Sequence, residues 1–346
     1  MSSLWLIWAQ LALCAGAIAV AGTLLSRYAD VIADKTGWSG AWVGLVLLAT
    51  VTSLPELATG ISSVTLADTP DVAVGNVLGA CVLNLSYVAV LDVMKRDEPL
   101  FRRAGLGHIG LAGFGIIMLA VAGLGLALSQ FPLARSLGLS LRLSLGHVGL
   151  YAPALLVLYL LAVRITFNYE RSQVAAGAEQ AASRYPDMSL HQAAWRFGVA
   201  ASIVVAAGVW LPFIATDLAL AMQWTQSFVG TLLVAMVTSL PELVVTLSAL
   251  RLGAVDMAIA NLLGSNLFNV LILAIDDVFY VRGPILGAVS PVHAVSAMSA
   301  ILMSGVVVVA LLTKPSGRVL RLASWASIAL GGIYVLNAYV LFRYGG

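Results

Sequence analysis

The peptide ATVTSLPEL at residues 49–57 returns as AMVTSLPEL at residues 235–243, and both copies sit inside long apolar runs. Neither the proline nor the glutamate belongs there by default. An ionised glutamate at the centre of a membrane helix costs on the order of 3 kcal/mol on insertion scales. A helix-interior proline costs roughly another 3 kcal/mol, because it removes an amide donor and crowds the preceding turn. In each copy the proline directly precedes the glutamate. Carbonyls about one turn upstream, around Val51–Thr52 and Val237–Thr238, therefore lose their usual amide partner. Beside Glu56 and Glu242, with the hydroxyls of Thr52, Ser53, Thr238 and Ser239, such carbonyls are hard oxygen ligands. They suit Ca2+ or Na+ rather than a soft metal. One copy alone reads equally well as a proline kink whose glutamate makes a local hydrogen bond.

Composition supplies the solvent. Of 346 residues, 61% are hydrophobic and 10% charged, against about 25% charged in an ordinary soluble domain. Such a chain cannot cover itself with polar surface, so the lipid bilayer is its expected partner. The two cysteines, Cys14 and Cys81, lie in apolar stretches and read as small buried thiols. No Walker loop, zinc spacing or nucleic-acid motif is present, which sets aside an ATP-driven pump. Nothing points to an enzyme, a cofactor or an obligate protein partner. The first apolar run, 4–26, has no basic residue before it and is too long for a signal peptide. It is expected to be a retained helix.

Ten apolar segments follow one another, at roughly 4–28, 40–67, 70–94, 105–129, 147–167, 194–219, 225–251, 255–279, 285–313 and 320–342. Each has about the 20 residues that a hydrocarbon core demands, and the longer ones imply tilt or a break. With the N-terminus outside, 14 of the 18 basic residues fall on inner loops and helix ends, and Arg135, Arg142, Arg282 and Arg343 fall outside. The positive-inside rule thus supports ten spans with both termini outside. The polar stretch 168–192 reads as a cytoplasmic linker between a first five-helix repeat (1–167) and a second (193–346). Residues 130–146 read as an irregular piece at the outer interface.

The repeat extends beyond the opening peptide. GLVLLATVTSLPEL from Gly44 matches GTLLVAMVTSLPEL from Gly230 at an offset of 186. NVLGACVLN from Asn76 then matches NLLGSNLFN from Asn261 at 185, and at that offset Asp92 falls on Asp277 and His108 on His293. Five spans separate the copies, so the second crosses in the opposite sense. Inverted repeats of this kind are the architecture of secondary transporters, with the ligand near the midplane where the halves meet. The expected fold is an all-α polytopic membrane protein. Its ten transmembrane helices form two inverted five-helix repeats, with helices two and seven broken at the midplane.

Segments three and eight are expected to complete the site. Asn76 and Asn84, like Asn261 and Asn269, are eight residues apart and share a helix face. Asn84 and Asn269 are the better oxygen donors; Asn76 and Asn261 serve equally well as helix glue. Asp92 and Asp277 read as interfacial acids, with ion entry the lesser reading. Helix contacts account for His108 and His293.

On these residues the chain resembles the cation/Ca2+ exchanger superfamily, and prokaryotic sodium/calcium antiporters in particular. Its alpha-repeats carry a TSLPE signature followed by a GNxxGSNxxN-like signature, matched here by residues 44–85 and 230–270. The resemblance implies ten helices, the first and sixth sliding against an eight-helix core, in a prokaryotic cytoplasmic membrane. It also implies that Glu56 and Glu242 bind Ca2+ together, with Thr52, Ser53, Thr238 and Ser239 contributing to the Ca2+ and flanking Na+ sites. Ser265, in GSNLFN, matches a Na+-binding serine. The first repeat departs from the pattern, with Ala80 and Cys81 in place of Ser and Asn. That removes one hydroxyl ligand and leaves the counter-ion open.

Two carboxylates neutralise one Ca2+, two monovalent ions or two protons, whereas an empty doubly charged site resists occlusion. The expected function is therefore exchange of Ca2+ for Na+, with Ca2+ and Na+ as transported ions. Exchange of Ca2+ or another divalent cation for H+ is the alternative. A channel or a non-transporting membrane scaffold follows, since a single glutamate pair in one chain does not make a pore ring.

Overall fold

The structure, a computed structural model, describes residues 4–36, 48–95, 100–130, 136, 144–174, 185–315, 317–319 and 323–345. Helices dominate. They are α1 (Leu4–Thr36), α2 (Ala49–Thr52), α3 (Leu54–Thr65), α4 (Pro70–Met94), α5 (Leu100–Arg103), α6 (His108–Gln130) and α7 (Tyr151–Val174) in the first part of the chain. The second part holds α8 (Leu190–Met222), α9 (Gln226–Phe228), a π-helical stretch (Val229–Val234), α10 (Ala235–Thr238), α11 (Leu240–Arg251), α12 (Val255–Phe279), α13 (His293–Thr313) and α14 (Trp325–Tyr344). A hairpin of β1 (Ser144–Leu145) and β2 (Val148–Gly149) precedes α7. Among the described residues, eight helices are long and apolar enough to cross a membrane, and the bent pair ending in α11 makes a ninth. The first residues of expected span two, 40–47, lie outside the described residues, as do most of 130–146 and residues 175–184 of the linker.

Both copies of the repeated peptide interrupt their helices at the serine before Leu-Pro. Ser53 has φ −87° and ψ 12°, and Ser239 has φ −85° and ψ 12°. In each case the proline then occupies the first turn of the next helix, where its missing amide costs least. The second copy turns by 45° at this point. α4 and α12 cross at the centre and are the most deeply buried helices of the bundle.

α1 and α8, 33 residues each, lie side by side and cross the interrupted helices. They do so through a pair of glycines 186 apart, the offset of the repeat itself. Gly22 of α1 abuts the ring of Pro241, leaving no room for a Cβ. A Cβ at Gly208 of α8 would meet Ala58 at 2.9 Å and the Pro55 carbonyl at 3.1 Å. Each long helix thus rides on the kink of the other half.

Several boundaries differ from the sequence expectation, and α1 runs on to Thr36 rather than ending at 28. α13 begins at His293 rather than 285, because Pro284 and Pro291 confine the preceding residues to a short 3-10 turn, Ile285–Gly287. α7 extends to Val174, and α8 starts at Leu190 on a capping box made by Ser189 and Gln192, so both helices enter the expected 168–192 linker. Asp92 and Asp277 are buried acids that hold loops. Asp92 accepts from the Leu100 amide (2.8 Å), the Ser324 amide (3.0 Å) and the Ser327 hydroxyl (2.6 Å). Asp277 accepts from the amides of Gly149 and Ile285 (2.7 Å each) and from Tyr151 Oη (2.5 Å). Three hydrogen bonds each make both acids loop anchors.

Replacing Gly22 or Gly208 by Val should lower thermal stability in detergent, with an overpacking cost of about 1–3 kcal/mol. Gly16 and Gly198, which have open space at the Cβ position, provide the controls in the same helices and should melt like the wild type.

Candidate cation site

The helix interruptions place their serines across from each other's glutamates. Ser53 Oγ donates to Glu242 Oε1 at 3.0 Å, and Ser239 Oγ donates to Glu56 Oε1 at 2.9 Å. Both glutamates are fully buried, and the second oxygen of each, Oε2, has no hydrogen-bond partner. The two carboxylates are near enough to interact electrostatically. No basic side chain among the described residues pairs with either. Two unbalanced charges in such a place are tolerable only with a cation or protons between them.

Neutral oxygens surround this pair. Thr52 Oγ1 lies 3.3 Å from Ser265 Oγ, and both residues are buried. Asn84 donates its amide to Asn266 Oδ1 at 3.1 Å, leaving its own Oδ1 unpartnered. Asn269 is buried with both ends of its amide unpartnered. All nine expected site residues are thus buried in the described core, on α2, α3, α4, α10, α11 and α12 and the serines between them. No set of three His, Cys, Asp or Glu side chains among the described residues is placed to hold one metal ion. The charge comes from two glutamates alone, and the remaining donors are hydroxyls and amides.

The halves differ around this centre. Where Thr52 meets Ser265, its counterpart Thr238 donates to Asn76 Oδ1 at 2.9 Å instead, and Ala80 stands at the position that matches Ser265. Asn76 in turn donates to the Glu56 carbonyl at 3.4 Å, and Asn261 donates to Thr246 Oγ1 at 3.2 Å. Asn76 and Asn261 therefore fasten helices, although Asn261, like Asn84, leaves its own Oδ1 unpartnered. Cys81 and Cys14 are free buried thiols.

Several polar residues carry no mark in the sequence reading, one of them beside this centre and the others at helix starts. Asn266, the counterpart of Cys81, donates to the Cys81 carbonyl at 3.2 Å and receives the amide of Asn84. Asp71 sits 2.9 Å from His293, and Asp256 sits 2.9 Å from His108. Both acids open helices that follow a turn, and their shared offset of 185 was the available signal.

The sodium/calcium exchanger protein family model matches residues 6–160 and 192–343. The chain belongs to that family. It is 27% identical over 281 residues to the inner membrane protein YrbG of Escherichia coli K12, covering 75% of this chain and 78% of that one. Over 53 residues, 15% of each chain, it is 55% identical to the sodium/calcium exchanger MaX1 of Methanosarcina acetivorans. Its fold matches the sodium-calcium exchanger NCX_Mj with a TM-score of 0.61 at 19% identity, over 97% of this chain and 98% of that one. It also matches native YfkE with a TM-score of 0.65 at 16% identity, over 96% and 92%. This exchanger is an integral membrane protein of a transporter family.

Removing either serine hydroxyl deprives a buried carboxylate of a hydrogen bond. Ser53→Ala and Ser239→Ala should each weaken Ca2+ binding about 10-fold or more, from the roughly 1.5–3 kcal/mol of a hydrogen bond to a charged group. Calorimetric titration with CaCl2 measures this, and comparable losses in the two variants would reflect the reciprocal geometry.

Proposed function

We propose that this exchanger moves Ca2+ in one direction against Na+ in the other, by alternating access to one central site. The observation that carries the reading is the reciprocal serine–glutamate pair, which leaves Glu56 Oε2 and Glu242 Oε2 bare. Glu56 and Glu242 would hold Ca2+ between them, with Asn84 and Asn269 supplying neutral oxygens. Thr52, Ser53, Thr238, Ser239 and Ser265 would turn hydroxyl lone pairs toward Ca2+ or Na+. A set of this kind offers carboxylate, amide and hydroxyl oxygens, the hard donors that Ca2+ takes in sixes to eights. Loaded with Ca2+ or two Na+, the pair is neutral and can be enclosed. Empty, it carries two charges in low dielectric and resists closure, which makes exchange obligatory. The similarity to MaX1, a sodium/calcium exchanger, supports the assignment of ions.

The accompanying topology has ten helices in two inverted five-helix repeats, in a prokaryotic cytoplasmic membrane with both termini outside. The placement of basic residues supports it. In this arrangement the Asp68–Arg282 face is external. α1 and α8, resting on the two kinks through Gly22 and Gly208, are the elements that would slide.

A second reading, exchange of Ca2+ for H+, draws on Ala80. Thr238 meets no serine there and bonds Asn76 instead, so one of the two hydroxyl pairs is missing. Uptake of radioactive Ca2+ into proteoliposomes separates the two readings. Na+-loaded vesicles at equal pH should take up Ca2+, and Glu56→Gln and Glu242→Gln should each abolish it. Uptake driven only by a pH gradient would assign the counter-ion to H+. Absence of glutamate-dependent uptake under either gradient would overturn Ca2+ exchange.

A further inference from the structure

Asp276 lies outside the site just described, and no hydrogen bond or ion pair accounts for it. It is fully buried on α12, and both carboxylate oxygens lack a partner. It follows Asn269 by seven residues, two helical turns, and so shares its face of α12. Across the seam it packs on Gly60 of α3, where a Cβ would overlap the carboxyl group. Gly60 is one turn beyond Glu56, about 6 Å along the helix at 1.5 Å per residue. One turn further on, α3 ends and the chain reaches Asp68. At the surface, Asp68 pairs with Arg282 from beyond the end of α12, at 2.7 Å and with both side chains more than half exposed. The seam between α3 and α12 thus runs from Glu56 and Asn269, past Asp276, to an exposed charged pair.

The other repeat shows that this acid is not required for packing. The counterparts of Gly60 and Asp276 are Thr246 and Leu91, a larger residue facing an apolar one. Both are buried, and Thr246 is held by Asn261. Glycine on one side and aspartate on the other therefore form a matched substitution confined to one of the two seams. Among the described residues no basic side chain pairs with Asp276. Asp277 is the adjacent acid and is consumed by Gly149, Tyr151 and Ile285. His147 bonds the Val278 carbonyl at 2.9 Å, and Asp71 of α4 is engaged by His293, Ser227 and Ser290. On α3 the remaining ionisable group is Glu56.

We propose that Asp276 is a cation-binding station on the path between the Glu56–Glu242 pair and the Asp68–Arg282 face, taking the transported hard cation, Ca2+ or Na+, in partly hydrated form. The inference rests on the proposed function for the identity of the ion. One carboxylate offers two oxygens, far short of the six to eight that Ca2+ takes, so water must supply the rest. A site of that kind binds weakly and releases quickly, as a transit step demands. A buried negative charge also raises the local cation concentration at its own mouth.

Infrared difference spectra of the purified protein, recorded on adding CaCl2 or NaCl, should contain an Asp276 carboxylate component. It should vanish in Asp276→Asn and in the double variant Gly60→Thr/Asp276→Leu, which copies the packing of Thr246 and Leu91. An Asp276 carboxylate insensitive to both cations, or an Asp276 seen only as a protonated acid, would overturn the assignment. In sealed vesicles, the half-saturating Ca2+ concentration from the Asp68–Arg282 face should rise severalfold in both variants, and less from the opposite face. Equal changes on the two faces would also overturn it. A wild type that exchanges no Ca2+ would count against the proposed function, and the infrared component then decides Asp276 by itself.

Discussion

Two glutamates enclosed in a helix bundle, each meeting hydroxyls and, among the described residues, no basic side chain, set the terms for the rest of the structure. Their burial is sustained by local devices. Helices stop at Ser53 and Ser239, prolines restart them in their first turn, and each serine reaches the carboxylate of the other half. Moving either half away exposes the opposite glutamate without its hydrogen bond. The site and the contact between the halves are one set of interactions, so occupancy of the site and the relative position of the halves are energetically linked.

The same reciprocity recurs at a distance from the centre. Asp71 meets His293 while Asp256 meets His108, each acid in one half and its histidine in the other. Asp92 and Asp277 tie down loops through amides and hydroxyls. Gly22 and Gly208 let the two long helices approach the kinks. Buried acids at these positions find amide, hydroxyl or imidazole donors, which is the condition for keeping such groups in an apolar bundle. Against this background the departures gather near the centre and along one seam. Ala80 stands at the position matching Ser265, which meets Thr52, Cys81 stands opposite Asn266, and the pair Gly60–Asp276 is matched by Thr246 and Leu91 in the other repeat.

Much of the site was legible because its residues violate the rules of their surroundings. A proline and a glutamate in an apolar run attract notice, and repetition at a constant offset makes a local kink an insufficient account. The asparagines were visible for the same reason. Their division of labour was not: Asn76 and Asn261 fasten helices, whereas Asn269 keeps both amide ends bare, and that depends on which neighbours face them. Asp92 and Asp277 appeared at helix ends, where ion entry and loop anchoring look alike. Only the amides converging on them separate the two. Asp276 escaped attention beside Asp277, since adjacent positions on a helix point in different directions and one letter string does not say which faces the seam.

Sequence alone determined the solvent, the membrane-spanning character, the repeat and the two glutamates, because these follow from composition and from local costs that any helix in lipid must meet. The tertiary structure decided which oxygens remain bare, which acids are consumed as anchors, and that Ser53 serves Glu242 while Ser239 serves Glu56. Those are relations between residues up to 235 positions apart. They arise from close packing of helices whose lipid-facing and buried sides are equally apolar, so no periodicity in the chain encodes which faces meet.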